Sequence, residues 1–326
     1  MASDSLTTVN FLNPVQDLIP LVEARMRLQA DRYHSELGAA IQHLLSSGGK
    51  RVRPAVALLI GGMLGADPDR LVTLASAIEL LHTATLVHDD LIDGALLRRG
   101  IATLNAQWTP AATVLTGDFI FAIAAKMAAD TDSVAVMCLF AETLAIIVNG
   151  EINQLFISHG LASRENYFKR IYAKTASMFE LASGAAAILS PVDQEIIDPA
   201  RRFGYEIGMA FQIVDDVLDF TGEQATVGKP VANDLRQGLI TLPALYYYEA
   251  FPNDSGMKMI IEGNRYMGAA MDRLVESIRQ SDAIDRSLAE AKEYIDRALT
   301  ILSTFPGGPE HEALVELSGY ILNRLT

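Results

Sequence analysis

Residues 71–93 read LVTLASAIELLHTATLVHDDLID, an apolar run with helical spacing that ends in three aspartates. The run is apolar on almost every side of a helix, which is typical of a helix at the centre of a bundle. His82, Thr85 and His88 interrupt it, and polar groups on a central helix need partners or a cavity. We therefore expect a long central helix over residues 68–92 that borders a cavity.

The aspartates at the end of this run have a counterpart later in the chain. Both triplets contain two adjacent aspartates and a third one three positions on: Asp89, Asp90 and Asp93, then Asp215, Asp216 and Asp219. The first and third aspartates of each triplet are four positions apart, so they lie on one face of a helix. Like charges at this spacing destabilise a helix, and withdrawing carboxylates from water is costly unless a cation binds.

Carboxylate oxygens of this kind suit Mg²⁺, which is usually held by one or two carboxylates together with phosphate oxygens of a substrate. The alternative is a solvated acidic helix end. Apolar neighbours, such as Val87 before the first triplet and Val214 before the second, make that alternative weaker. Two such helices facing each other would bring both triplets to one pocket, and the pair predicts a phosphate site built through metal.

The rest of the chain has the same helical character, with Ala, Leu, Ile and Met at intervals of three and four and few alternating runs. We expect an all-α fold: a single large helical bundle over residues 1–326 around a central cavity, because no linker-like tract divides the chain. Gly and Pro separate the predicted helices. These cover residues 15–46, 53–63, 68–92, 113–129, 133–156, 164–187, 198–221 and 239–250, with further helices in 259–303 and 310–323.

Composition excludes several classes of protein. With 26 basic and 40 acidic residues the net charge is −14, which disfavours a nucleic-acid-binding surface. The single cysteine, Cys138, excludes an intrachain disulfide and fits a reducing, cytoplasmic compartment, and we expect its side chain in the core. Apolar stretches such as 55–64 and 119–125 are shorter than the ~20 residues that cross a bilayer, so we expect no transmembrane anchor. Residues 1–16 lack the pattern of a secretory signal.

Basic residues lie close to both triplets. Gly48-Gly49-Lys50-Arg51-Val52-Arg53-Pro54 is a glycine turn with three cations, followed by a proline that suits the first turn of a helix. Backbone amides at such a helix start, with Lys and Arg beside them, form an anion site; the alternative is an isolated basic turn on the surface. Arg98, Arg99, Lys174 and Lys229 supply further cations. In an acidic chain these residues predict an anionic substrate held by metal and side chains together.

Other kinds of site have no support in the sequence. His82 and His88 are six positions apart, so they do not share a helix face as paired zinc ligands do. The sequence contains no Walker loop, no G-x-G-x-x-G after a strand and no G-x-S-x-G elbow.

Taken together, the motifs resemble the trans-isoprenyl diphosphate synthases (polyprenyl synthetases), in particular the long-chain polyprenyl diphosphate synthases. The matching motifs, between about residue 46 and residue 243, are Gly48–Pro54, His82 with the first triplet, Arg98-Arg99-Gly100, Gly117-Asp118, Lys174-Thr175, and Phe211-Gln212 with the second triplet. The resemblance implies an all-helical fold with a central cavity and a homodimer. It also implies a reaction that joins an allylic diphosphate to isopentenyl diphosphate.

The resemblance also implies a role for each matched residue. The residues expected to be catalytic are Asp89, Asp90, Asp93, Asp215, Asp216 and Lys174. Asp89, Asp93 and Asp215 would hold two or three Mg²⁺ ions, with Asp90, Asp216 and Asp219 supporting them. The allylic diphosphate would contact Arg98, Lys174, Thr175, Gln212 and Lys229. Isopentenyl diphosphate would contact Lys50, Arg53, His82 and Arg99.

The sequence departs from the family at one position, and the size of two side chains bears on the length of the product. Leu239 stands where many relatives carry a lysine, which removes one cation from the allylic side. Ala84 and Thr85 lie one turn below Asp89, ~6 Å along the helix, and should line the growing chain. Relatives that stop early have a bulky aromatic residue there or two extra residues in the triplet. Both features are absent, so we expect a long product, about C35 to C50 by resemblance, of the kind attached to quinones.

Three alternatives stay open at the level of sequence. A short-chain synthase making farnesyl or geranylgeranyl diphosphate would use the same residues. A class I terpene cyclase also has an Asp-rich first motif, but the second Asp triplet and the basic turn argue against it. A non-catalytic subunit that partners an active synthase would be expected to lack a triplet or the Lys50 and Arg53 pair.

Overall fold

The computed structural model describes residues 10–30, 35–46, 48–98, 100–157, 163–222, 231–263 and 267–324. Apart from a two-stranded antiparallel hairpin, the regular structure of these residues is helical. The hairpin pairs β1 (Leu97–Arg98) with β2 (Ile101–Ala102), with Leu97 opposite Ala102. The all-α prediction is therefore confirmed.

The helices follow one another along the whole chain. After a 3₁₀ turn at Asn10–Val15, the first nine are α1 (Ile19–Ala30), α2 (Ser35–Ser46), α3 (Val52–Met63), α4 (Pro68–Ile92), α5 (Leu104–Gln107), α6 (Pro110–Ala129), α7 (Val134–Ile157), α8 (Arg164–Ile171) and α9 (Ser177–Ile188). A π-helical segment, Tyr172–Ala176, joins α8 to α9. The remaining helices are α10 (Gln194–Thr221), α11 (Asn233–Arg236), α12 (Leu242–Ala250), α13 (Ser255–Ile261), α14 (Ala269–Gln280), α15 (Ala283–Leu302) and α16 (Pro309–Asn323).

The chain divides into two compact units. Unit one comprises Met1–Glu142, Leu181–Arg201 and Ile301–Leu317, and unit two comprises Thr143–Glu180, Arg202–Thr300 and Ser318–Thr326. The first aspartate triplet belongs to unit one and the second to unit two. A single domain over residues 1–326, and a common cavity for the two triplets, stay predictions.

The predicted central helix is confirmed as α4, and it lies at the centre of unit one. It begins at Pro68 because Asp67 accepts a hydrogen bond from the Arg70 amide at 3.0 Å and proline suits the first turn. It packs mainly on α6, and also on α3 and α1. Gly117 of α6 permits this close approach, since a Cβ there would lie 2.2 Å from Nε2 of His88. The end of α4 that carries the first triplet is thereby fixed against α6.

The other predicted helices agree in place but differ at their ends. The span 15–46 contains α1 and α2, with residues 31–34 outside the described part. The span 164–187 is interrupted by the π-helical segment, and 259–303 contains α14 and α15 as separate helices. These differences arise from tertiary packing, which decides helix ends more strongly than periodicity does.

Two expectations are wrong: the burial of Cys138, and the short length of the apolar stretches. Cys138 is exposed, because it lies on the outer face of α7. The expectation of short apolar stretches is wrong as well: among the described residues, three helices are long and apolar enough to cross a membrane by length and composition, namely Pro68–Ile92, Pro110–Ala129 and Val134–Phe156. Protein buries 83% of the apolar window in the first but only 28% in the third, so the core accounts for α4 and not for α7. The absence of a membrane anchor and the cytoplasmic location stay predictions.

Candidate active site

The first triplet lies at the carboxyl end of α4, and its three aspartates have different environments. Asp90 is 6% exposed, and both of its carboxylate oxygens accept hydrogen bonds from Nε of Arg98, at 2.9 and 3.0 Å. Nη2 of the same arginine lies 2.8 Å from Oδ1. Asp89 is half-buried, and Asp93 is exposed where the helix ends. The middle aspartate thus anchors the β1 strand, while the outer two lie nearer to solvent.

The second triplet repeats this division on α10. Asp216 is 4% exposed and accepts hydrogen bonds from the Tyr167 hydroxyl at 2.7 Å and from Nε2 of Gln212 at 2.8 Å. Thr175 in turn donates its hydroxyl to Oε1 of Gln212 at 2.6 Å. Two residues predicted to contact the allylic diphosphate, Thr175 and Gln212, therefore belong to a hydrogen-bonded chain that fixes Asp216.

Burial raises the pKa values of two groups in this hydrogen-bonded chain, Asp216 and Tyr167. It raises the pKa of Asp216 to about 7, and the hydrogen bonds from Gln212 and Tyr167, which favour the carboxylate, oppose that rise. Burial and the neighbouring Asp216 also raise the pKa of Tyr167, so its hydroxyl keeps its proton and remains a donor. The donors around Asp216 compensate part of the cost of burying it.

The outer aspartates of the second triplet also have protein partners. The two carboxylate oxygens of Asp219 accept hydrogen bonds from the backbone amides of Asn233 and Asp234, each at 3.1 Å, where α11 begins. Asp215 is half-buried, and its Oδ1 lies 2.6 Å from Nη2 of Arg324. Asp219 therefore orients the chain after α10, and Asp215 has a cation directly against it.

Lys174 and Thr175 lie in the π-helical segment. A π turn contains one residue more than an α turn, and such turns occur often at functional sites. Lys174 is half-buried and forms an ion pair with Glu151 of α7, Nζ to Oε1 3.2 Å. Gly150, beside that glutamate, permits the close packing, since a Cβ there would lie 2.5 Å from the Cβ of Ala173. The segment therefore holds Lys174 against α7 within unit two.

The basic turn before α3 contains three cations, and the environments of Lys50 and Arg53 differ from that of Arg51. Lys50 is exposed, and Arg53 is half-buried with Nη1 3.4 Å from Nε2 of His82. These are three of the four residues predicted to contact isopentenyl diphosphate, and Arg53 and His82 lie together in unit one. Thr85, predicted to line the product, donates its hydroxyl to the His82 carbonyl at 2.7 Å.

Arg51, the remaining cation of the turn, faces inward, which its position in the sequence does not predict. Its side chain is 9% exposed, with Nη1 2.6 Å from Glu79 on α4 and Nε 3.1 Å from Glu23 on α1. Its backbone has the left-handed conformation, φ 49°, which directs the side chain away from those of its neighbours. Burial lowers and these two carboxylates raise its pKa, with a net upward shift. Arg51 therefore ties the turn to α1 and α4.

The structure brings the predicted residues together as two sets. Unit one contains the first triplet, Lys50, Arg53, His82, Ala84, Thr85 and Arg98, and unit two contains the second triplet, Lys174, Thr175 and Gln212. Arg99 and Lys229 lie outside the described residues. Within the described part of the chain, no group of three His, Cys, Asp or Glu side chains is placed to hold a metal ion.

The predicted site residues and Arg51 also interact with residues that belong to none of the sequence motifs. These further residues are Glu79, Glu151, Tyr167, Arg170 and Arg324. Arg170 lies over the Tyr167 ring, 5.5 Å from its centroid, and donates to the Ile240 carbonyl at 2.7 Å. It thus reaches the segment in which Leu239 replaces the lysine of many relatives. None of these residues belongs to a recognisable motif, so only spatial proximity reveals them.

Comparison with known proteins extends this picture. The sequence model of polyprenyl synthetase matches residues 34–278. A prenyl transferase of Synechocystis sp. is 37% identical over 98% of this chain and 99% of its own length. Heptaprenyl diphosphate synthase component 2 of Geobacillus stearothermophilus is 35% identical over 95% of this chain and 97% of its own length.

A solved structure is similar over the whole chain. Polyprenyl synthase from Caulobacter crescentus, solved in complex with calcium and isoprenyl diphosphate, superposes with a TM-score of 0.90 at 34% identity and covers 100% of both chains. The similarity in sequence and in fold therefore extends over all the motifs described above.

The buried ion pair of Arg51 should stabilise the fold. Arg51→Met keeps the length of the side chain but leaves Glu79, which is 8% exposed, without its cation. Removing one partner of a buried ion pair should lower the free energy of unfolding by about 3 kcal/mol. Arg27→Met is the control, because Arg27 pairs with the same Glu23 at the surface, 3.5 Å away and 56% exposed, and should cost less than about 1 kcal/mol. Urea denaturation measures both, and equal losses would contradict a buried role for Arg51.

Proposed function

The chain belongs to the polyprenyl synthetase family, and on that premise we propose how it works as a long-chain trans-polyprenyl diphosphate synthase. The enzyme transfers the prenyl group of an allylic diphosphate to isopentenyl diphosphate and repeats the step on the lengthened product. The observation that carries the proposal is the pair of Asp triplets, each with its middle aspartate anchored to protein and its first aspartate half-buried at a helix end.

The residues of the triplets fit Mg²⁺. Carboxylate oxygens are the ligands this ion prefers, and it needs only one or two from the protein when a diphosphate supplies others. We assign Asp89, Asp93 and Asp215 as ligands of two or three ions. The Caulobacter relative, solved in complex with calcium and isoprenyl diphosphate, supports binding of a divalent cation and of a diphosphate. Bound Mg²⁺ would neutralise negative charge as the diphosphate departs.

The middle aspartates have a different task in this proposal. Asp90 and Asp216 are buried and hydrogen-bonded, so they orient the helix ends rather than supply ligand oxygens. Asp219 positions α11 through its two amide contacts. This is a narrower role than the supporting metal ligation that the family resemblance implies for these three residues.

The cations of the chain act on the two diphosphates. Lys174, with Arg98, Thr175, Gln212 and Lys229, holds the allylic diphosphate, while Lys50, Arg53, His82 and Arg99 hold isopentenyl diphosphate. Positive charge fixed around the leaving diphosphate stabilises the transition state in which the allylic C–O bond ionises. The alkene of isopentenyl diphosphate attacks the allylic carbon, forming a C–C bond, and a proton then leaves carbon 2, with the departing diphosphate as acceptor.

The test of this function is turnover with and without metal. Purified protein with isopentenyl diphosphate, farnesyl diphosphate and Mg²⁺ should yield products of C35 or longer by mass spectrometry, and EDTA should abolish them. Asp89→Ala and Asp215→Ala should each lower the rate on the order of 100- to 1,000-fold, as expected when one electrostatic stabiliser is removed. Asp296→Ala, at an exposed ion pair with Lys292, is the control and should keep the wild-type rate. Unchanged turnover in both triplet variants would refute the assignment.

The length of the product depends on what lines the path below Asp89. Thr85 is four positions before Asp89, on the same face of α4, and Ala84 is next to it. Both side chains are small, so a growing chain can pass this level. We propose that these two residues keep the path open in this enzyme.

Thr85→Phe should therefore shorten the product. A phenyl ring ~6 Å below Asp89 would block the path after a few condensations and shift the products to C15 or C20. Leu86→Phe adds a ring about 100° around the helix and should leave the product length unchanged. Mass spectrometry of the products distinguishes the two. Long products from Thr85→Phe would show that the limit on length lies elsewhere.

An exposed apolar stripe supports a homodimer. Seven residues of α7 at alternating intervals of four and three are all exposed: Val134, Cys138, Ala141, Ala145, Val148, Ile152 and Leu155. This spacing is the seam of two helices that pack together. Ile152 is 47% exposed and Leu155 54%, which is unusual for a continuous apolar face in water. We propose that a second copy of the chain covers this stripe.

Ile152→Glu should separate the copies, because it places a charge in the middle of the stripe. Light scattering after gel filtration should give twice the 35.4 kDa of one chain for the wild type and a single chain for the variant. Asn153→Glu changes the neighbouring exposed residue, which lies off the stripe, and should remain a dimer. A dimeric Ile152→Glu protein would exclude the stripe as the interface.

The name of the Geobacillus relative, component 2 of a heptaprenyl diphosphate synthase, favours a second possibility. A different subunit could cover the same stripe and be required for turnover. A wild-type protein that is monomeric and inactive alone would support this alternative over the homodimer.

A further inference from the structure

Arg324 makes a contact that the proposed mechanism does not use. It lies in the turn after α16, and its Nη2 is 2.6 Å from Oδ1 of Asp215. Its guanidinium also lies over the ring of Phe211, with 4.3 Å from Cζ to the ring centroid. Phe211 and Asp215 are four positions apart on α10, so a single helix face supplies both contacts. All three residues belong to unit two.

The position of this cation conflicts with the role proposed for Asp215. An arginine side chain that is 17% exposed occupies the space against a carboxylate oxygen proposed to bind Mg²⁺. A guanidinium and a divalent cation repel each other at such short range. The two cations therefore compete for the oxygen.

The arginine is not fully satisfied where it lies. Its Nη1 is buried and has no hydrogen-bond partner among the described residues. A buried donor without an acceptor costs free energy, which reduces the net gain of the ion pair. The contact thus neutralises the charge of Asp215, but it is weak enough for a metal ion that binds Asp215 to displace the arginine.

We propose that Arg324 is the counter-ion of Asp215 in the metal-free protein and that metal binding displaces it. The assignment rests on the proposed function, because it takes Asp215 as a metal ligand. Since the pair must break before the metal binds, it lowers the affinity of the second triplet for the metal alone. A diphosphate contributes oxygen ligands of its own and so offsets this loss. Arg324 therefore makes metal loading depend more strongly on substrate.

The probe for this proposal is Mn²⁺ without substrate, because it accepts the same oxygen ligands as Mg²⁺ and its free form has a sharp EPR signal. Arg324→Gln removes the charge and should lower the dissociation constant for Mn²⁺ about fivefold, the size expected for loss of a partly exposed ion pair. Arg286→Gln is the matched control. Arg286 also lies over an aromatic ring, 4.0 Å from the Tyr246 centroid, and pairs with Glu249 at 3.1 Å. Its replacement should leave Mn²⁺ binding unchanged.

A second pair of variants assigns the effect to Asp215. In an Asp215→Asn background, Arg324→Gln should have no effect on the Mn²⁺ dissociation constant, because the competition has been removed. Circular dichroism establishes that each variant is folded, and Arg324→Lys replaces any variant that is not, with a smaller gain in affinity expected.

The outcomes separate this proposal from the proposed function. An unchanged or weaker affinity in Arg324→Gln, or the same gain in the Asp215→Asn background, would overturn the counter-ion role while the enzyme still makes polyprenyl diphosphate. If the wild type neither binds Mn²⁺ nor turns over, the proposed function fails instead.

Discussion

Carboxylates on apolar helices must be compensated, and the arrangement of the site depends on this constraint. Asp90 and Asp216 lie where water is excluded, so a charge there without partners would destabilise the fold. Arg98 provides the compensation in the first triplet, and Tyr167 and Gln212 provide it in the second. Each anchored aspartate fixes its helix end and hence the position of the aspartate next to it. The partners that offset the cost of burying the middle aspartate thus also orient the adjacent aspartate that is proposed to bind metal.

The sequence predicts those features that depend on spacing along the chain. The central helix, the triplets at helix ends and the basic turn all follow from residue types at short intervals. It does not predict that Arg51 turns inward, because its partners Glu23 and Glu79 are 28 positions away on either side and its left-handed backbone has no glycine to indicate it. For the same reason the sequence does not predict the contacts of Tyr167 and Arg324. Their contacts with the second triplet join segments that are remote in sequence.

The apolar stripe on α7 illustrates a different limit of sequence analysis. Short apolar stretches such as 55–64 and 119–125 predict that no segment is long enough to cross a membrane, and in α7 Glu142 and Asn149 interrupt the apolar residues. On a helix these polar residues lie beside the stripe, and the apolar positions form one continuous exposed face. An exposed apolar surface on a helix is therefore recognised from the residues of one helix face and not from the length of an uninterrupted apolar run. Its exposure becomes visible only when the packing of the other faces is known.

The π-helical segment between α8 and α9 has a consequence for how this sequence could have arisen. Tyr167 and Ala176 are nine positions apart, which would put them about 180° apart on a regular α-helix, whereas one inserted residue reduces this to about 80°. Both residues can then contact α10, Tyr167 at Asp216 and Ala176 at Gly208. A deletion of one codon in this stretch would leave the two residues eight positions apart on a regular α-helix, again about 80°, so both contacts would be kept. Within this family, a one-residue gap in an alignment at Tyr172–Ala176 would therefore identify members in which a regular helix replaces the π-helical segment while α8 and α9 pack as they do here.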